Sequence, residues 1–85
     1  MLNRDLMNHI EVRGAATATM HVINALQELP PHHQVVAVVA TFRLLIERFK
    51  LDPQDAFTLT DNIMNHAQGR RAEFDAVRAY LENEV

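Results

Sequence analysis

Hydrophobic and small residues recur every three or four positions in the first third of the chain, from Asn3 to about Glu28. This is the spacing of one face of an amphipathic α-helix. We therefore predict a first helix over residues 3–28. Ala15 and Ile23 widen its apolar face. The residues that define this face are Leu6, Ile10, Gly14, Ala18, Val22, Leu26 and Leu29. Gly14 leaves open whether this segment forms one helix or two, because glycine costs about 1 kcal/mol relative to alanine inside a helix.

The central third of the chain is the most hydrophobic. Pro30 and Pro31 end the first helix, and Pro31 suits the first turn of the next. The segment that follows, 31–50, is too long for a typical strand, although its four valines also fit one. We predict a helix that is apolar around most of its circumference. Its large apolar residues are Val35, Val36, Val38, Val39, Phe42, Leu44, Leu45, Ile46 and Phe49.

Two further helices are predicted in the last third. Asp52 is a suitable N-cap and Pro53 a suitable first helical residue, so a third helix is expected over 53–68, with Gly69 as its C-cap. A fourth is expected over 70–83. Its apolar residues are Phe74, Val77 and Leu81, and its exposed ion pairs would join Arg71 to Asp75 and Arg78 to Glu82.

These segments predict an all-α fold: one domain, residues 1–85, built as a small bundle of three to four helices at about 3–28, 31–50, 53–68 and 70–83. A chain of 85 residues has room for one hydrophobic core. It has no cysteine, which excludes disulfides and thiolate metal sites. The first residues do not resemble an export signal, and the longest apolar run is shorter than the roughly 20 residues that span a membrane. We therefore expect a cytoplasmic protein without a membrane segment.

Side chains suited to catalysis are few. The chain has no serine, and its two glycines, Gly14 and Gly69, cannot form a phosphate-binding loop. The five histidines do not share a helix face with one another at metal-ligand spacing. They are His9, His21, His32, His33 and His66. We expect a protein that is not an enzyme and that uses no metal or cofactor.

Nucleic-acid binding is the alternative function. The net charge is −3 and the eight basic residues are dispersed. A helix-turn-helix around Asp52 would present a recognition helix, 54–62, that contains two aspartates and no basic residue, which phosphates would repel. The remaining basic group is Arg70, Arg71 and Arg78, so the alternative is a nucleic-acid-associated regulator that uses these three arginines.

The apolar excess of segment 31–50 favours a different function. Either the other helices enclose this helix, or part of its surface contacts a partner. Three short amphipathic helices can hardly enclose a fourth, so we favour self-association, with a homodimer as the commonest form. The expected interface residues are Val35, Val38, Val39, Phe42, Leu45 and Phe49. The hypothesis is a non-enzymatic protein-protein interaction module that also binds a protein partner of unknown identity.

One stretch resembles a known group of proteins. Leu51-Asp52-Pro53-Gln54-Asp55-Ala56-Phe57 and Asn62-Ile63-Met64-Asn65, within residues 30–67, are similar to segments of small uncharacterised helical proteins of tailed bacteriophages and prophages. The resemblance implies a bacterial cytosolic setting and an accessory protein that acts by binding a host or phage protein. It implies no catalytic motif and no functional residue.

Overall fold

The computed structural model describes residues 6, 7 and 9–84. Within them, four α-helices and one short β-hairpin follow each other along the chain, so the predicted all-α fold is confirmed. The elements are α1 (Val12–Leu26), α2 (Pro31–Phe49), α3 (Pro53–Met64), β1 (Asn65–His66), β2 (Gly69–Arg70) and α4 (Ala72–Glu84).

Helix α1 is shorter than the predicted helix 3–28. Leu6 and Met7 have helical backbone, but the helix is interrupted before Val12, where α1 begins. The interruption therefore precedes Gly14, which is exposed in the first turn with open space where a Cβ would lie. Residues 3–5 and 8 of the predicted helix lie outside the described residues. At the other end, α1 stops at Leu26.

Helices α2 and α3 begin where their prolines predict. Pro31 and Pro53 are the first residues of the two helices, and the Asp52 carboxylate accepts a hydrogen bond of 2.8 Å from the backbone N–H of Gln54. This bond satisfies one of the free amides that every helix start leaves. Helix α2 ends at Phe49 and is capped by Lys50, which has a left-handed backbone (φ 54°, ψ 48°) and whose N–H donates to the Ile46 carbonyl.

The hairpin between α3 and α4 was not predicted. Helix α3 ends at Met64 rather than continuing to residue 68, and Asn65 and Arg70 then face each other across two antiparallel strands. Gly69 belongs to β2, not to a helix cap, and its φ of 135° favours a residue without a Cβ. The hairpin therefore takes the place of the last predicted turn of α3.

The core joins the first and last helices. Among the described residues, four hydrophobic side chains are buried: Ala16 and Ile23 of α1 with Phe74 and Val77 of α4. The partly buried residues packed around them are Val12, Ala15, Met20, Ile63, Met64 and Tyr80. The Gln27 side-chain amide donates to the Tyr80 hydroxyl and links the same two helices.

Two predicted core assignments are wrong. The face of α1 that packs against α4 contains Ala16 and Ile23, whereas Ala18 and Val22 of the predicted apolar face are exposed. In α4, Leu81 is also exposed rather than buried. In the described part of the chain, no helix has the length and the apolar composition that crossing a membrane requires.

Candidate interaction surface

Helix α2 is the least covered element of the fold. None of its 19 residues is buried, and Val35, Val36 and Leu44 each expose more than 60% of their surface. Its ring contact with another helix joins Phe42 to Phe57 of α3, with ring centroids 5.2 Å apart. The helix with the most large apolar side chains therefore has none of them buried by the rest of the described chain.

The six residues predicted to form the interface lie on one side of α2. At about 100° per residue they occupy roughly one third of the helix circumference. Val35, Val39 and Leu45 are exposed, whereas Phe42 and Phe49 are half-buried. The sixth residue is Val38, which is also exposed.

An apolar groove runs between α1 and this side of α2. Its volume is about 530 Å³. Helix α1 contributes His21, Val22, Ala25 and Leu26, and α2 contributes Ala37, Val38, Thr41, Phe42 and Leu45. Three of the six predicted interface residues therefore line the groove directly. Val35 and Phe49 lie beyond its ends along the helix, and Val39 lies beside it.

The groove contains no Asp, Glu, Lys or Arg. Of its two polar residues, Thr41 donates its hydroxyl to the Ala37 carbonyl at 2.8 Å, so its hydrogen-bonding capacity is used within the helix. His21 lies exposed on α1. A surface of this composition suits an apolar occupant, because covering it leaves few polar groups without a partner.

Three other grooves are smaller and carry charged side chains. One, of about 300 Å³, contains Asp55, and one of about 240 Å³ contains Arg71. The third, also of about 300 Å³, is bordered by Arg13 and Glu73. The α1/α2 groove is therefore the most apolar of the four.

The three arginines of the alternative function are engaged within the fold. Arg70 and Arg78 both face Asp75, with nitrogen-to-oxygen distances of 3.4 and 2.9 Å. Arg71 donates from Nε to the Asn65 carbonyl and from Nη2 to the Asn62 carbonyl, at 3.2 and 3.3 Å. The predicted pair of Arg71 with Asp75 is therefore wrong.

The structure does not bring the histidines together as a metal site. His32 and His33 at the start of α2 have ring centroids 4.5 Å apart, and His66 accepts a hydrogen bond from the Gln68 backbone N–H through Nδ1. Within the described residues, no three His, Asp or Glu side chains are close enough to hold a metal ion together.

Sequence reasoning missed the α1 side of the groove. Val22 and Leu26 were predicted to belong to the single apolar face of the first helix, but Val22 exposes 52% of its surface and both residues line the groove. Helix α1 carries two apolar faces: Ala16 and Ile23 contact α4, and Val22 with Leu26 borders α2. A second apolar face on a short amphipathic helix was the signal that a second surface needed covering.

These features define the chain as a small, mostly helical protein with an apolar groove between its first two described helices. It shows no significant match to any known protein family, to any curated protein or to any solved structure.

Proposed function

We propose that the protein is a non-enzymatic protein-protein interaction module that self-associates as a homodimer through the groove side of α2. The observation that carries this proposal is the exposure of the helix with the most large apolar side chains, none of which is buried. Exposed apolar surface of this extent is uncommon on monomeric proteins and is typical of interaction sites.

The total exposed surface area supports the proposal that a partner covers part of the chain. The chain has a mass of 9.7 kDa and exposes 6763 Å². Folded monomers of this mass expose about 5,100 Å². The excess of about 1,600 Å² is larger than the roughly 800 Å² that each partner buries in a stable interface.

The small core supports the same proposal. Four buried side chains, one of them an alanine, give the described chain little hydrophobic stabilisation. Ordering each residue costs about 1–2 kcal/mol of conformational entropy, so a helical protein needs more buried surface than this core supplies. Covering Val35, Val38 and Leu45 in a dimer adds buried apolar surface in both copies at once.

We do not propose nucleic-acid binding, the alternative function. It would use Arg70, Arg71 and Arg78, which are engaged within the fold. Asp75 lies against two of these side chains, and the third is occupied by main-chain carbonyls. The Asp75 carboxylate offsets part of the positive charge of the cluster, which reduces its attraction for phosphate, so we favour self-association.

A substitution at Val38 tests the proposal. We expect Val38→Asp to convert the dimer to a monomer, because a carboxylate in the apolar interface would lose its hydration without gaining a partner. Light scattering measures the mass. The matched control is Val36→Asp, which introduces the same charge into the same helix but lies outside the groove and should remain dimeric.

Two results would contradict the proposal. One is a monomeric unmodified protein at micromolar concentration. The other is equal dissociation of the Val36→Asp and Val38→Asp variants, which would show that the groove side has no special role. Circular dichroism of both variants establishes that the helices are retained.

A further inference from the structure

The large and small apolar residues of α2 are segregated along the helix. Five of them follow each other at spacings of three, four, three and four, which is the a/d repeat of a coiled coil. They are Val35, Val38, Phe42, Leu45 and Phe49. The two valines occupy the N-terminal half, and the two phenylalanines and the leucine occupy the C-terminal half. This gradient restricts how a second copy can pack against the first.

A parallel pair of α2 helices would match the gradient poorly. In register, Phe42 and Phe49 would face their own copies at one end, and Val35 would face its own copy at the other. The distance between packed helices depends on the side chains at the contact and is normally 8–10 Å. Because the bulky end would hold the helices apart, the valine end would be left with cavities, which are destabilising.

An antiparallel pair places large residues opposite small ones. When the two helices cross near Ala40, Val35 lies opposite the partner's Leu45, and Val38 opposite the partner's Phe42. Each layer then contains one small and one large side chain, so the helix separation stays nearly constant. In this pairing the volume of the side chains is complementary along the whole contact.

The charges of α2 favour the same orientation. Arg43, Glu47 and Arg48 lie in its C-terminal half and Lys50 follows it, whereas residues 31–42 contain no Asp, Glu, Lys or Arg. An antiparallel pair separates the two basic ends and places opposite ends of the helix dipoles beside each other. A parallel pair would bring both basic ends together.

We propose that a second copy of the chain inserts its α2 into the α1/α2 groove, antiparallel to the first α2, with Val35 opposite the partner's Leu45. This inference rests on the proposed self-association and adds its geometry. By symmetry, each α2 lies in the groove of the other copy, so α1, α2 and their copies form a four-helix arrangement. The groove is then filled by the Val/Phe/Leu side of the partner's helix.

Cysteine cross-linking tests the orientation, and the chain has no native cysteine to interfere. Val35→Cys and Leu45→Cys are prepared separately, then mixed in denaturant, refolded together and oxidised. Both positions are exposed in the single chain, so neither substitution removes a core contact. A disulfide needs Cα atoms within about 7 Å. In the antiparallel dimer the two copies of residue 35 are displaced by ten residues, about 15 Å along the axis.

We expect the mixture of Val35→Cys and Leu45→Cys to form a covalent dimer and each variant alone to form at least tenfold less. Gln68→Cys, in the exposed hairpin turn, measures linkage by random collision. If each variant cross-linked with itself and the mixture formed no disulfide between residues 35 and 45, the antiparallel orientation would be overturned and self-association would be left intact. A dimeric mass with no cross-link above the Gln68→Cys level would overturn the groove placement. A monomeric mass for the unmodified chain would overturn the proposed function itself.

Discussion

At the scale of single residues, the connection between α3 and α4 depends on a side chain that binds main-chain groups. That residue is Arg71, whose guanidinium joins the Asn62 and Asn65 carbonyls while its own N–H donates to the Met64 carbonyl at 3.0 Å. The sequence suggested an ion pair or a phosphate ligand for this residue. Spacing alone could not identify the actual partners, since every residue carries a carbonyl.

Replacing Arg71 should therefore destabilise the fold. We expect Arg71→Gln to lower the free energy of unfolding by about 1–2 kcal/mol, because two charge-assisted hydrogen bonds are lost at a half-buried position. Urea denaturation followed by circular dichroism measures the change. Arg70→Gln is the control and should cost less than about 1 kcal/mol, because its ion pair with Asp75 is exposed. Equal effects would contradict the structural role of Arg71.

Replacing Lys50 with glycine should have the opposite effect and raise the free energy of unfolding. Its positive φ is unfavourable for any residue with a Cβ, by about 1–2 kcal/mol. Glycine removes that cost but gains freedom in the unfolded chain, so we expect Lys50→Gly to stabilise by a few tenths of a kcal/mol up to about 1 kcal/mol. The thermal midpoint at fixed protein concentration measures the change. Lys50→Val should lower the midpoint. A higher midpoint for Lys50→Val would show that residue 50 does not adopt the left-handed conformation.

At the scale of elements, α1 is a helix with two apolar faces. One face, with Ala16 and Ile23, contacts α4, and the other, with Val22 and Leu26, borders the groove. Neighbouring residues of one helix therefore belong to different contacts. One is intramolecular, and the other is, in our proposal, between copies.

Substitutions at adjacent positions of α1 should separate the two contacts. We expect Ile23→Ala to destabilise the fold by about 2–5 kcal/mol, because it leaves a cavity in a core of four buried residues. Val22→Ala should leave helix content unchanged and weaken self-association severalfold, as measured by sedimentation equilibrium. If both variants changed the same property, α1 would not have two separate faces.

The sequence predicted the starts of α2 and α3, and both are confirmed, because Pro31, Asp52 and Pro53 act through local geometry. It did not predict the hairpin, because Asn65-His66 and Gly69-Arg70 have little β-propensity and are held by a short turn. Nor did it select the buried face of α1, since the choice between two apolar faces depends on α4, about fifty residues further along the chain. The groove could not be located from the sequence, because two helices form it together; the second apolar face of α1 was its only sign.

At the scale of the whole molecule, folding and association should be coupled. The four buried residues belong to one chain, and the apolar side of α2 is exposed in it. In our proposal a second copy covers this side. We expect the thermal midpoint to rise with protein concentration, as for any protein that is stabilised by its own copy. Circular dichroism melts over a hundredfold concentration range measure this. A midpoint that does not change with concentration would contradict coupling.

Salt should distinguish apolar association from binding to nucleic acid. Because the α1/α2 groove has no charged residue, we expect the dimer dissociation constant to change less than about threefold between low and high salt. Binding through arginines to phosphates would weaken steeply over the same range. Sedimentation at several salt concentrations makes the comparison, and steep weakening would count against an apolar interface.

The contact between α1 and α4 has a consequence for synthesis on the ribosome. Ile23 is translated long before Phe74 and Val77, so these side chains cannot meet until the chain has been made as far as Val77. Helix α2 emerges in between, with its valines uncovered. Contacts this distant in sequence form slowly. Nascent chains therefore carry an unprotected apolar helix, and neighbouring ribosomes on one message could bring two such helices together before either chain is finished.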